Sequence, residues 1–217
     1  MGNKNILIPV LCLVIVIIIA CCNNNEPNKE MPKKEMIEQS QSKPENQEDK
    51  NNDNEEIINY SAFIIKSIID LAGLHLGDTE TEVKNILGKN YSEEFCEEGG
   101  YIGEPFFIRE YKSGVRIILG KNSRKVLEIV VFKKSIPTEQ GIEVRDSSEK
   151  ALKLYRDKYK EFKGMYSDGR IPGWFMVEKN ILLIFDFDLT DSNRTNEKMN
   201  SSSEVEEIVL AYSWLFE

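Results

Sequence analysis

The stretch GLHLGDTETEVKNIL, residues 73–87, recurs 68 residues later as GIEVRDSSEKALKLY, residues 141–155. Each copy opens on a glycine, continues with apolar residues at alternate positions, and reaches an aspartate followed by a hydroxyl residue. Alternating apolar residues predict a short extended segment with one buried face. Because self-similarity at a fixed offset indicates a repeated structural unit, the two stretches predict that one supersecondary unit occurs twice.

A short helix is predicted to follow the aspartate in each copy. The hydroxyls of Thr79 and Ser147 can accept a hydrogen bond from a free backbone N–H of a first helical turn, so both residues are predicted N-caps. Glu82 stands three residues after Thr79 and completes a capping box. Gly88 is a predicted stop for the first helix.

Segments with strand character follow each predicted helix. Residues 105–132 (PFFIREYKSGVRIILGKNSRKVLEIVVF) predict three strands joined by turns. Residues 173–188 (GWFMVEKNILLIFDFD) predict two strands, and residues 203–214 (SEVEEIVLAYSW) predict a third. The polar stretch between them, 189–202, is predicted to be a mobile hairpin loop.

These patterns predict an α+β domain over residues 57–217. It would consist of two tandem helix–three-strand (α-β-β-β) repeats, at about 73–133 and about 141–213. Their strands would form a curved antiparallel sheet with the helices on one face. Apolar residues at helical spacing within 57–72 predict an additional leading helix.

The pattern of glycine, alternating apolar residues, Asp78-Thr79 and a short helix, followed by a three-stranded meander, resembles the repeat of the β-lactamase-inhibitor-protein-like fold. It is also similar to the small outer-membrane lipoproteins of the barrel-assembly machinery and to uncharacterised lipoproteins of Gram-positive bacteria. The resemblance covers roughly residues 71–212. It implies a concave sheet face, which inhibitor-type relatives use for protein contacts.

The N-terminus has the form of an export signal. Lys4 precedes an uninterrupted apolar run, Ile6–Ala20. This run is short for a membrane span, which needs about 20 residues. Its end, Ile18-Ile19-Ala20-Cys21, resembles the lipobox of bacterial lipoproteins. That resemblance implies removal of residues 1–20 as a signal peptide and acylation of Cys21, with palmitate-type chains. The alternative is a retained N-terminal helix that anchors the chain.

Both alternatives place most of the chain at a cell membrane, facing outside the cytoplasm. Residues 21–56 are nearly free of large apolar side chains, so they predict a disordered linker between the lipidated cysteine and the domain. The formal charge of −9 at pH 7 argues against a nucleic-acid-binding protein, which would carry a basic surface.

Few residues suit catalysis. His75 is the single histidine, and Glu143 takes its place in the second copy. Cys96 is the one cysteine expected in the folded part, and no base near it in the sequence would activate it. The sequence therefore predicts no enzyme activity and no cofactor. The best metal candidates, for Ca²⁺, are Asp186, Asp188 and Asp191, which supply hard oxygen ligands without EF-hand spacing.

The predicted function is non-catalytic binding, at the cell envelope, of a protein or an envelope component. Candidate contact residues are four aromatic side chains: Phe106, Phe107, Trp174 and Phe175. The alternative is a Ca²⁺-dependent or enzymatic site at the aspartate cluster. A narrower version of the binding hypothesis is inhibition of an extracellular hydrolase. Expected partners are the membrane, through the lipid, and a protein or envelope component, but not nucleic acid.

Overall fold

A computed structural model describes residues 64–164, 169–187 and 194–216. The described chain contains nine β-strands, two α-helices and two 3-10 helices. In chain order these are β1 (Asp70–Leu71), β2 (Leu74–His75), α1 (Glu80–Leu87), β3 (Tyr91–Cys96), a 3-10 helix (Gly100–Ile102), β4 (Phe106–Tyr111), β5 (Val115–Gly120), β6 (Val126–Val131), α2 (Ser148–Arg156), β7 (Trp174–Glu178), β8 (Ile181–Asp186), β9 (Glu207–Tyr212) and a 3-10 helix (Ser213–Phe216).

Seven of the strands form one antiparallel sheet in the order β3-β4-β5-β6-β9-β8-β7. Strands that follow one another along the chain pair as neighbours, except where β6 meets β9 at the centre. Every residue of β6, β8 and β9 is buried, which explains their nearly continuous apolar sequences. The edge strands are β3 and β7, and β1 pairs with β2 in a separate two-stranded sheet.

The predicted fold class, an α+β domain of two helix–three-strand repeats, is wrong. The described chain is mostly β, with one seven-stranded sheet and only two helices, of eight and nine residues. Four strands follow α1 and three follow α2. The additional strand is β3, which lies outside the predicted strand segments. Its four central residues are exposed, so it lacks the alternation of apolar and polar residues that identifies a strand in a sequence.

The leading helix is also wrong over its described part. Residues 64–69 have no helical structure, and residues 70–71 form β1. Ile65 and Ile68 are 67% and 86% exposed, so the apolar spacing does not mark a buried helix face. The remainder of that prediction, residues 57–63, lies outside the described residues.

Residues 64–69 instead form a segment without regular secondary structure, here called the N-terminal strap, which crosses the first turn. The Tyr212 hydroxyl donates to the Ile65 carbonyl at 2.7 Å, and the Ser67 N–H donates to the Leu76 carbonyl at 3.0 Å. Lys66 Nζ lies 2.6 Å from Asp78 Oδ1. The strap is thereby fixed both to the turn before α1 and to the central strand β9.

The two quoted stretches form the same turn, although the strands that follow differ in number. Asp78 Oδ2 accepts the His75 N–H, and Asp146 Oδ2 accepts the Glu143 N–H, both at 2.8 Å. The turns hydrogen-bond to equivalent positions, at the first residue of β6 and two residues before β9. The Gly77 N–H donates to Val126 at 2.8 Å, and the Arg145 N–H donates to Val205 at 2.7 Å.

The predicted helix caps are confirmed. Thr79 Oγ1 accepts the Glu82 N–H, and the Glu82 carboxylate accepts the Thr79 N–H, which completes the capping box. Ser147 Oγ accepts the Lys150 N–H. Gly88 caps α1 with φ of 82°. These local hydrogen bonds fix where each helix starts and hence which residues it turns toward the sheet.

One part of the core lies between the two helices and one face of the sheet, and residues on the other face, such as Val130 and Val209, are buried as well. Val83 of α1 and Ala151 of α2 are fully buried. The Tyr155 ring lies 5.3 Å from the Phe175 ring and 4.8 Å from the Phe185 ring. Since successive strand residues point to opposite faces, the sheet has a second face. We call that second face the far face.

Candidate functional site

The far face carries a group of polar side chains at its centre, here called the far-face cluster. Arg116 on β5 pairs with Val130 on β6, and Val130 pairs in turn with Val209 on β9. Glu207 lies two residues before Val209 on the same strand. Alternation therefore puts Arg116 and Glu207 on one face. The members of the cluster are Tyr101, Glu110, Arg116, Glu128, Arg194 and Glu207.

The inner part of the cluster is a buried ion pair. Only 2% of the Glu128 side chain is exposed, and its two oxygens each lie 3.1 Å from an amino nitrogen of Arg194. Burial by itself would lower the pKa of Arg194. The negative charge of Glu128 has the opposite and larger effect, so the pKa of Arg194 is raised. A two-point contact of this kind fixes both side chains in one geometry.

Two further contacts hold this pair in place. The Tyr101 hydroxyl donates to Glu128 Oε2 at 3.5 Å, although 53% of Tyr101 is exposed. The Trp174 indole N–H donates to the Arg194 carbonyl. The hydroxyl of Tyr101 thus points inward while part of its ring faces solvent. The loop that supplies Arg194 is tied to β7 as well as to β6.

The outer part of the cluster is Arg116. Its Nε lies 3.3 Å from Glu110 Oε2 and its Nη1 lies 3.5 Å from Glu207 Oε1. Its guanidinium carbon is 5.2 Å from the centre of the Phe132 ring. Among the described residues, Nη2 of Arg116 has no hydrogen-bond partner. Because the side chain is already oriented, a partner that uses Nη2 would lose little rotamer entropy on binding.

Glu207 lies between the inner and outer parts. It is 7% exposed, and its carboxylate oxygens lie 3.5 Å from Arg116 Nη1 and 4.0 Å from Arg194 Nη2. Burial raises the pKa of Glu207, and the two guanidinium groups oppose that shift. Glu207 therefore links the two arginines electrostatically, through contacts longer than those of the Glu128 pair.

The four aromatic candidates are not brought together as one exposed surface. Phe106 and Phe107 are neighbours on β4 and so point to opposite faces, as do Trp174 and Phe175 on β7. Trp174 is 5% exposed and Phe175 is fully buried. Trp174 packs against Phe216, with ring centres 4.8 Å apart.

Only one of the predicted metal ligands can be placed. Asp186 is 2% exposed and pairs across β8 and β9 with Glu207, on the far face. Asp188 and Asp191 lie outside the described residues, as does the lipidation candidate Cys21. Among the residues that are described, no three His, Cys, Asp or Glu side chains are grouped so that they could hold a metal ion.

The remaining candidates are placed apart from the far-face cluster. His75 lies in the two-stranded sheet, where its Nδ1 is 3.8 Å from Asp78 Oδ2. Cys96 ends the edge strand β3, where it is half-buried. Within the described ranges, no helix has both the length and the hydropathy needed to cross a membrane.

Sequence reasoning missed the far-face cluster, although a signal was present. Glu128 and Glu207 each interrupt an apolar strand, and they occupy the same position when VLEIVV is aligned with VEEIVL. Charged residues are rarely fully buried unless they are paired. A buried glutamate at the same position of two central strands therefore indicates that each glutamate is paired with a cation on the same face of the sheet. These cations are Arg194 for Glu128 and Arg116 for Glu207.

Comparisons with protein-family models, with curated proteins and with solved structures gave no match to this chain.

Proposed function

We propose that this chain is a non-catalytic binding module, anchored by lipid at Cys21 on the outer side of a membrane, and that the accessible part of the far face around Arg116 and Phe132 contacts its partner. The observation that carries the proposal is the orientation of Arg116. Glu110 and Glu207 hold its guanidinium over Phe132, and no residue in the described part of the chain accepts a hydrogen bond from Nη2. Arginine and aromatic side chains fixed in this way are typical of binding hot spots.

The same contacts define the partner's chemistry. The partner offers a hydrogen-bond acceptor, a carbonyl or a carboxylate, to Arg116 Nη2, and an apolar group to Phe132. Glu110, whose side chain is 48% exposed, adds a negative charge beside them. A contact of mixed polarity fits the edge of a protein interface better than a purely ionic site.

The test is cross-linking in cells with the full chain, followed by capture and identification of the linked protein. The informative variants are Arg116→Ala and Phe132→Ala. The matched control is Arg145→Ala, an exposed arginine that forms one exposed pair, with Glu204. A protein that is captured by the parent chain and the control, but not by the two variants, supports the proposal. Equal capture by all four chains contradicts it.

The lipid anchor is tested separately. The mass of the N-terminal peptide is measured for the full chain and for Cys21→Ala and Cys22→Ala. We expect an acylated peptide that begins at Cys21, and its loss only in Cys21→Ala. An unprocessed N-terminus in the parent chain would favour a retained helical anchor instead.

A further inference from the structure

A shallow apolar hollow of about 340 Å³ opens at one end of the sheet. It lies where the β1–β2 turn, the β4–β5 turn and the loop after β6 meet. Its apolar floor is formed by five side chains: Ala72, Leu87, Val115, Ile136 and Pro137. A volume of this size is at the lower end of the range for small-molecule sites, roughly 300–1,000 Å³.

Three exposed lysines stand beside this hollow. Lys112 precedes the lining residue Ser113, and Lys134 precedes the lining residue Ser135. Lys133 Nζ donates to the Lys112 carbonyl at 2.9 Å, which holds it at the β4–β5 turn. No described carboxylate lies within ion-pairing distance of these three ammonium groups, although the chain contains more acidic than basic residues.

The carboxylates near the hollow already accept backbone hydrogen bonds. Asp70 accepts the Gly73 N–H at 3.0 Å, and Glu143 accepts the Ser135 N–H at 3.1 Å. Asp146, which interacts electrostatically with Lys134, is paired with Lys150 Nζ at 2.8 Å. With that pair included, the local balance is four ammonium groups against three carboxylates. Since charges are screened over about 10 Å at 0.1 M salt, this local balance matters more to a bound group than the net charge of −9.

We propose that the hollow binds an anionic phospholipid. The phosphate would lie against Lys112, Lys133 and Lys134, and the glycerol and first methylenes of an acyl chain would cover Ile136 and Leu87. Cationic groups beside an apolar floor match a phospholipid, which joins an anionic headgroup to an apolar tail. The proposal is independent of the partner at the far face.

The test uses the full chain in nanodiscs of phosphatidylcholine alone, or with 30% phosphatidylglycerol, and follows amide hydrogen exchange. Because each lysine near an anionic surface contributes roughly fivefold in binding, we expect exchange at residues 112–115 and 134–136 to slow roughly fivefold or more with phosphatidylglycerol. Replacement of Lys112, Lys133 and Lys134 by Ser should abolish this slowing. Replacement of Lys153, Lys160 and Lys163, three exposed lysines elsewhere, should leave it unchanged.

Two further measurements separate the phospholipid from other occupants. Ile136→Asn should also abolish the slowing, since the acyl chain would lose its apolar contact; retained slowing would overturn the assignment of a lipid tail. Soluble glycerol phosphate should have no effect by itself, and an effect equal to that of the lipid would mean a phosphate site. Equal exchange in both kinds of nanodisc would overturn the proposal.

Discussion

The Cα atom of Lys66 lies 3.0 Å from the point that a Cβ would occupy on Gly77. Gly77 also has φ of 81°, a conformation that favours glycine. The equivalent residue of the second turn, Arg145, has nearly the same φ of 79° but carries a side chain. The glycine is therefore required by the strap that crosses it, and not by the turn alone.

Gly77→Ala is predicted to destabilise the domain by roughly 2–4 kcal/mol, from the left-handed backbone and the contact with Lys66. Urea denaturation of the full chain, followed by tryptophan fluorescence, measures this change. Arg145→Gly is the matched control, because it relieves the same backbone strain at the equivalent turn position, which already accommodates a side chain. It should leave stability equal or raise it by about 1 kcal/mol. An equal loss of stability in both variants would show that the contact with the strap does not contribute to the effect of Gly77→Ala.

Glu128→Gln is predicted to cost roughly 3–5 kcal/mol, because it leaves the largely buried Arg194 with only the longer contact to Glu207 as a charge partner. The double variant Glu128→Met with Arg194→Met removes both charges and should recover most of that loss. Chemical denaturation of the three chains provides the comparison. If the double variant were less stable than Glu128→Gln, the ion pair would not be the cause of the loss.

Glu178→Ala is predicted to release part of the strap. One oxygen of Glu178 accepts the N–H groups of Ile68 and Ile69, at 2.9 and 2.6 Å. Hydrogen exchange at these two amides should accelerate at least tenfold, which corresponds to about 1.4 kcal/mol. Glu178→Gln retains an oxygen acceptor and should show a smaller change. Unchanged exchange in Glu178→Ala would mean that other contacts hold the strap.

Stability is predicted to fall in acid. Hydrogen bonds from Lys84 and Arg109 lower the pKa of Glu80 to about 2, and contacts with Lys66 and Thr79 lower that of Glu82 to about 2, both from 4.5. The folded state therefore binds fewer protons than the unfolded chain at these sites. Their contribution is complete above about pH 4.5 and is lost as the pH falls toward 2.

Glu82→Gln tests this acid dependence. Glutamine at this position retains the capping contact but does not titrate. The variant should lose less stability than the parent chain between pH 5 and pH 2, and the two should converge near pH 2. Both carboxylates are partly exposed, so added salt should reduce the difference. Parallel curves for the two chains would exclude Glu82 as a source.

Local structure was the predictable part of this fold. The caps at Thr79 and Ser147 depend on residues within one turn of one another, so their sequence signals are complete in themselves. The apolar strands β5, β6, β8 and β9 were predicted for a similar reason, since burial on both faces gives nearly continuous apolar sequences. These features determine the turns and helices, but not how many strands join the sheet.

What could not be predicted depends on distant residues. The edge strand β3 is exposed on both faces, and its pairing with β4 leaves no periodic signal. The strap depends on Tyr212, which lies 147 residues beyond Ile65 in the chain. One signal was overlooked: Lys66-Ser67-Ile68 recurs as Lys134-Ser135-Ile136 at the same offset of 68, so the repetition begins before the glycine.

The strap also determines how the domain would bear a mechanical load. The chain leads from Cys21 to the domain through residues 64–69, so tension on a membrane anchor would reach the fold there. In the described part of the chain, the first bonds to take the load would be those of Ile65 to Tyr212 and of Lys66 to Asp78. Because Tyr212 belongs to β9, next to β6 at the centre of the sheet, the pull would act on the most buried strands and not on an edge. We expect the strap to detach as a separate early step in single-molecule pulling, before the sheet itself yields.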